Sequence, residues 1–116
     1  MRTPTEMFDE SQHDVVSTIG GILLKLMPND AVKIIAKGDL GEESAGVSIQ
    51  WRTSTGAMKH FPFDEQPFEE IIQLSDAFIS LRQLMVADGH DPWHGITFAI
   101  DRDGEFDVDL AYDQPE

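Results

Sequence analysis

The chain has 116 residues, 41% of them apolar, which fits one domain around one core over residues 1–116 and leaves no room for a second. It carries 22 acidic against 8 basic residues, a net charge of −14; such a field repels nucleic acid and anionic membrane surfaces, attracts basic partners, and also keeps a protein soluble. There is no cysteine, so a disulfide framework and a thiolate metal site are excluded.

Thr3 or Thr5 is placed to cap a helix entered through Glu6. Phe8, Gln12, Val15, Ile19, Ile22, Leu23 and Leu26 recur at steps of three and four, the stripe of an amphipathic helix. His13 falls on its solvent side. Gly20-Gly21 weakens that helix by roughly 1 kcal/mol per glycine but permits close approach of a neighbouring element. Pro28-Asn29-Asp30 ends it. Ala31 to Ala36 reads as a strand, followed by a loop over Lys37 to Glu43. Ala45 to Trp51 alternates, with Val47, Ile49 and Trp51 on one face. Thr53-Ser54-Thr55-Gly56 turns the chain, and Met58 to Phe63 returns as a third strand with Phe61 and Phe63 on one side.

Asp64-Glu65-Gln66-Pro67 opens a second helix, with Asp64 as the cap and Pro67 in the first turn. Phe68, Ile71, Ile72, Ser75, Phe78, Ile79, Arg82, Met85 and Val86 mark its expected buried side, broadened by Leu74 and Leu81. A stripe that wide packs across a sheet. Gly89 is its stop signal, with Pro92 following. Ile96 to Ile100 is a strand, Asp101-Arg102-Asp103-Gly104 a turn, and Glu105 to Ala111 the last strand. The order is α-β-β-β-α-β-β, an α+β fold with two helices on an antiparallel sheet.

No catalytic constellation stands out along this frame. His90 and His94 are four apart, but Gly89 and Pro92 deny them the helix that would make that spacing a metal pair. Asp101-x-Asp103-Gly104-x-x-Asp107-x-Asp109 has its glycine at position four, not the sixth that a calcium loop requires. Gly38-Asp39-Leu40-Gly41 lacks the lysine and helix start of a phosphate loop. Glu42-Glu43 and Glu69-Glu70 are adjacent pairs, splayed apart and not an acid/base couple. A metal-dependent hydrolase built on His90 and His94 therefore has no support in ligand spacing. No metal or cofactor is expected, and the chain is read as a binding protein.

The last strand is the distinctive feature. Glu105, Asp107 and Asp109 alternate with Phe106, Val108 and Leu110, so acids line one face and apolar residues the other. Asp101, Asp103 and Asp113 lie close in sequence. A solvated outer face explains this array as well as a docking strip for a basic surface does; a strip of that kind accelerates encounter more than it adds affinity.

Leu81-Arg82, Gly89-x-Asp91-Pro92-Trp93, Thr97-Phe98-x-Ile100-x-x-Asp103-Gly104-x-Phe106 and Asp109-x-x-Tyr112-Asp113 together resemble the YezG-like immunity proteins, over about residues 81–113. That resemblance implies an antitoxin of a bacterial contact-dependent or polymorphic toxin system, several of which neutralise nucleases. It implies no catalytic residues. Pro92-Trp93 also reads as the joint of the helix-to-strand crossover, with Trp93 as an apolar plug, and Tyr112 as a residue closing the core's edge. The partner implied is a basic toxin domain, a nuclease, met through Asp101, Asp103, Glu105, Asp107, Asp109 and Asp113. The competing reading is an acidic adaptor or homo-oligomeric module whose contacts are the exposed members of the set Trp51, Phe61, Phe63 and Trp93. The start Met1-Arg2-Thr3-Pro4-Thr5-Glu6 lacks the form of a signal peptide, and runs such as Ile22-Leu23-Leu24 are too short to span a bilayer. The expected location is the cytoplasm.

Overall fold

Alternating apolar residues along the strand segments, and two apolar helical stripes, need each other's cover. The computed structural model, which describes residues 10–41 and 45–112, supplies it with one sheet and one helical layer. In chain order the elements are α1 (Glu10–Leu26), β1 (Ala31–Leu40), β2 (Ala45–Thr53), β3 (Met58–His60), α2 (Phe68–Ala87), β4 (Trp93–Asp101) and β5 (Phe106–Tyr112). Among the described residues the strands form one antiparallel sheet in the order β3-β2-β1-β4-β5. The expected α+β order is the observed one.

Both helices lie on one face of this sheet. α1 packs on β1 and β4, α2 on β1 and β2, and the helices pack against each other. The core is the layer between: Val16, Ile19 and Leu23 of α1, Leu74, Phe78, Leu81 and Met85 of α2, and Ile34, Ile49, Trp51, Trp93, Ile96, Phe98 and Ile100 of the sheet. Two glycines set how closely the layers approach. A Cβ on Gly38 of β1 would lie 2.8 Å from Phe78 Cδ2 and 2.9 Å from Ile96 Cγ2, so α2 rests directly on backbone there. A Cβ on Gly20 would lie 3.2 Å from Ile100 Cδ1, while Gly21 meets nothing. The close approach expected of the glycine pair belongs to Gly20 alone.

The Gly89 stop is realised in full. Gly89 has φ +97, and the His90 and Gly89 N–H groups donate to the carbonyls of Met85 at 2.9 Å and Val86 at 3.0 Å, closing the helix in a Schellman pattern. Trp93 is completely buried and its indole N–H donates to Met85 Sδ at 3.4 Å, so it plugs the crossover as expected. The Asp101–Gly104 turn is held by Gly104 N–H to Asp101 O at 3.0 Å, with Gly104 at φ +88.

Several expectations need correction. β1 does not end at Ala36 but continues through Lys37-Gly38-Asp39-Leu40. Gly38 and Asp39 read as loop residues, yet both neighbouring strands pair with that stretch, and the glycine is needed under Phe78. β3 stops at His60 instead of Phe63: Pro62 has no N–H for a ladder, and Phe63–Glu65 is a 3-10 turn. Asp64 sits in that turn and caps nothing; Pro67 is the residue at the head of α2, with no side-chain cap. β4 begins at Trp93, not Ile96, and β5 runs from Phe106 to Tyr112, with Glu105 in the preceding turn.

The buried side of α2 is also rotated from the one expected. Leu74, Phe78, Leu81 and Met85 face the core, whereas Phe68 is 62% and Ile72 61% exposed, and Val86 is exposed as well. At 100° per residue Phe68, Ile72, Ile79 and Val86 share one stripe. The apolar arc was wide enough to accommodate two orientations, and the Phe78–Gly38 seat selects one. The Thr3, Thr5 and Phe8 expectations, the Glu42-Glu43 pair, Asp113 and the Phe63 side chain lie outside the described residues.

Candidate functional site

Among the described residues, no element covers the face of the sheet turned away from the helices. β4 and β5 are joined by the Asp101–Gly104 turn, and their register pairs Ala99 with Asp107 and Thr97 with Asp109. Phe106, Val108 and Leu110 turn inward and are half-buried, with Phe106 stacked on Phe98 at a centroid distance of 5.4 Å. Asp107 and Asp109 therefore stand on the open face, both exposed. Two residues apart on a strand, their carboxylates are roughly 7 Å from each other. Their repulsion in water is about 0.6 kcal/mol, a load the hairpin carries easily.

The other candidate acids are placed differently. Glu105 and Asp103 are exposed in the turn. Asp101 is half-buried, and its Oδ1 accepts the N–H groups of Asp103 at 3.0 Å and Glu105 at 3.1 Å. It folds the turn and is less accessible than its neighbours. Asp103, Glu105, Asp107 and Asp109 thus follow one another along the hairpin, with Asp101 beneath them.

The sequence reasoning missed the charges across from these acids. Lys33 and Lys37 of β1 and Arg52 of β2 fall on the same open face: Lys33 stands opposite Arg52 on one side and Asp101 on the other, and Lys37 opposite Thr97. Among the described residues no ion pair engages any of the three. The face carries Lys33, Lys37 and Asp39 along its central strand, with Arg52 beside them, and anions along its β5 edge. The two columns are two strand spacings apart, roughly 10 Å, more than a Debye length at physiological salt. The lysines therefore do not neutralise the acids of β5. Ending β1 at Ala36 hid this column; extending the period of two from Lys33 through Ile35 to Lys37 was the signal for it.

Two arginines elsewhere are structural. Arg102, in the β4–β5 turn, donates through Nε to Ala31 O at 2.6 Å and through Nη2 to Pro28 O, tying the hairpin to the α1–β1 joint. Arg82 donates to Gly41 O at 2.7 Å and Trp93 O at 3.3 Å, across a recess of about 650 Å³ lined by Asp39, Leu40, Pro92 and His94. Both its contacts are to main-chain carbonyls, so it braces that end of the sheet. His90 lies 3.9 Å from Asp88, and His94 is in β4. Among the described residues no three metal-binding side chains converge, and no helix is long and apolar enough to cross a membrane. Of the aromatic residues of the adaptor reading, Trp51 and Trp93 are buried and Phe61 is half-buried, edge-on to Trp51.

Comparison with known proteins identifies the family of this α+β scaffold. The family model described as "Immunity protein YezG-like" matches residues 13–115, and the chain belongs to that family. The match reaches far beyond the 81–113 segment that first suggested it. Among curated relatives, immunity protein YezG of Bacillus subtilis (strain 168) is 27% identical over 109 residues, spanning 86% of this chain and 72% of that protein.

Proposed function

We propose that this chain is an immunity protein of the cytoplasm that binds a cognate bacterial toxin domain and neutralises it through the acidic surface of its β4–β5 hairpin. The toxin is a nuclease. A nuclease must present a basic surface to hold phosphates, and an acidic inhibitor occupies that surface as the polyanion would. Binding by Asp101, Asp103, Glu105, Asp107, Asp109 and Asp113 needs no catalysis, metal or cofactor, and the chain's own charge keeps it from nucleic acid and anionic membranes.

The observation that carries this reading is the run of exposed carboxylates Asp103 and Glu105 in the turn and Asp107 and Asp109 on the edge strand that follows it. The family's name supports the partner class. The test is co-expression with the toxin domain encoded beside the gene. The parent chain should restore growth and associate at a rate that falls steeply with salt. The Glu105→Lys/Asp107→Lys/Asp109→Lys variant should fold, associate more slowly and protect poorly. Full protection by that variant would remove the hairpin from the site.

One observation favours the runner-up, an adaptor or homo-oligomeric module: α2 exposes Phe68, Ile72 and Val86. Sedimentation of the isolated chain decides it. A stable oligomer that Ile72→Glu dissolves, with no affinity for a basic toxin domain, would replace the immunity reading.

A further inference from the structure

The β5 strand is the last in the sheet, and its outer side has no neighbour among the described residues. The hydrogen-bond phase of the hairpin states which groups are left over. Asp101 N–H donates to Glu105 O at 3.0 Å, and Gly104 N–H to Asp101 O. Antiparallel pairs alternate between bonded and unbonded. Counting back from Asp101, Ala99↔Asp107 and Thr97↔Asp109 are bonded, while Ile100↔Phe106, Phe98↔Val108 and Ile96↔Leu110 are not. The N–H and C=O groups of Phe106, Val108 and Leu110 therefore point away from β4, along an open edge of seven residues that runs roughly 23 Å.

The side chains on that edge specify what fits it. Phe106, Val108 and Leu110 are only half covered from the helical side. α1 reaches β4 through Gly20, against Ile100 and Phe98, and Leu24, one turn further on the same flank, is exposed. A strand laid beside β5 would place its inward residues against this unfinished apolar row and beneath Leu24. Its outward residues would stand beside Asp107 and Asp109, at the short cross-strand distance where opposite charges attract and like charges repel. A second copy of β5 would bring aspartate to aspartate, which argues against self-pairing.

We infer that β5 is an acceptor edge that takes one extended segment of the toxin as a sixth strand, a segment in which Lys or Arg alternates with apolar residues. This rests on the immunity reading above and gives it a mode of binding: main-chain bonds hold the segment, and the aspartates select its charge. It also accounts for the acids as guards, since a bare edge of this length invites indiscriminate pairing unless charge restricts it.

The test is amide hydrogen exchange on the isotopically labelled chain, first with a short synthetic peptide of alternating Lys and Val, then with the toxin domain encoded beside the gene. Strand addition protects the outward amides of Phe106, Val108 and Leu110, and leaves those of Asp107 and Asp109, already bonded to β4, nearly unchanged. A peptide of alternating Glu and Val should bind roughly tenfold more weakly or not at all. Val108→Pro removes an outward donor without touching a β4 bond and should abolish peptide binding. The Asp107→Lys/Asp109→Lys variant, which keeps every backbone donor, should reverse the preference in favour of the Glu peptide. If the toxin domain binds and is neutralised while those three amides exchange as in the free chain, strand addition is wrong and the immunity reading stands. If no toxin domain binds, the immunity reading falls and the inference falls with it, whatever the peptide does.

Discussion

At one end of the sheet β3 has three residues; at the other β5 has seven. The β3 edge is brief, ended by Pro62, with Phe61 folded edge-on to Trp51 and Lys59 bonded to Asp30 at 2.8 Å. The β5 edge is long, keeps three residues' backbone groups facing outward and wards off neighbours with charge alone. Length, proline and side-chain clasps close an edge to everything. Carboxylates close it only to strands of the wrong sign. One edge is finished as structure, and the other, among the described residues, is left unpaired.

Both edges hang from β1, so the strongest perturbation should act on both. Phe78→Ala, emptying the site above Gly38, should lower stability by about 3–5 kcal/mol; chemical denaturation reads this, with exchange protection lost in β2 and β5 together. Gly38→Val attacks the same seat from below by overpacking and should cost about 1–3 kcal/mol, by the same measurement. Gly104→Ala touches the β5 end alone. At φ +88 a side chain is strained by about 1–2 kcal/mol, so exchange should rise in the β4–β5 hairpin and not in β2 or β3; equal loosening of both ends would break the distinction. Asp107→Asn/Asp109→Asn should change melting by no more than about 0.5 kcal/mol, in the stabilising direction, while slowing toxin association. A large loss of stability would mean that these acids hold the fold together.

The smallest effect concerns the β3 end. The hydrogen bond from Lys59 holds the Asp30 carboxyl below its usual value of 3.8. A folded-state pKa that is depressed adds stability above the unfolded value and loses it as pH falls through the folded one. Parent and Asp30→Asn should therefore differ slightly near neutrality and converge as the pH drops below the ordinary carboxylate range. Solvent screening at this exposed pair keeps the effect to a small shift in melting temperature.

The sequence disclosed the architecture because its strongest signals were local. Period-two runs in β2 and β5, the Gly89 stop and the Asp101–Gly104 turn each act over a few residues. What stayed hidden depended on distant partners. Lys37 to Leu40 looked like a loop until β2 and β4 flanked it. The α2 stripe admitted two rotations until Phe78 met Gly38, so Phe68 and Ile72 were assigned inward and are found at the surface. The acids of β5 were legible as a row, and so was their face. That they border a bare edge follows only from strand order, which no local pattern encodes.

The grip of Arg102 on Ala31 and Pro28 joins parts of the chain 71 and 74 residues apart in sequence. β4, likewise, must come back to β1 across the whole of β2, β3 and α2. On the ribosome β1 therefore keeps one flank unsatisfied, and α1 lacks its tether, until residues 93–112 emerge. The hairpin that completes the fold is also the one that carries the proposed recognition edge. A truncated nascent chain would be unfinished and unarmed at once, so quality control that removes the first removes the second.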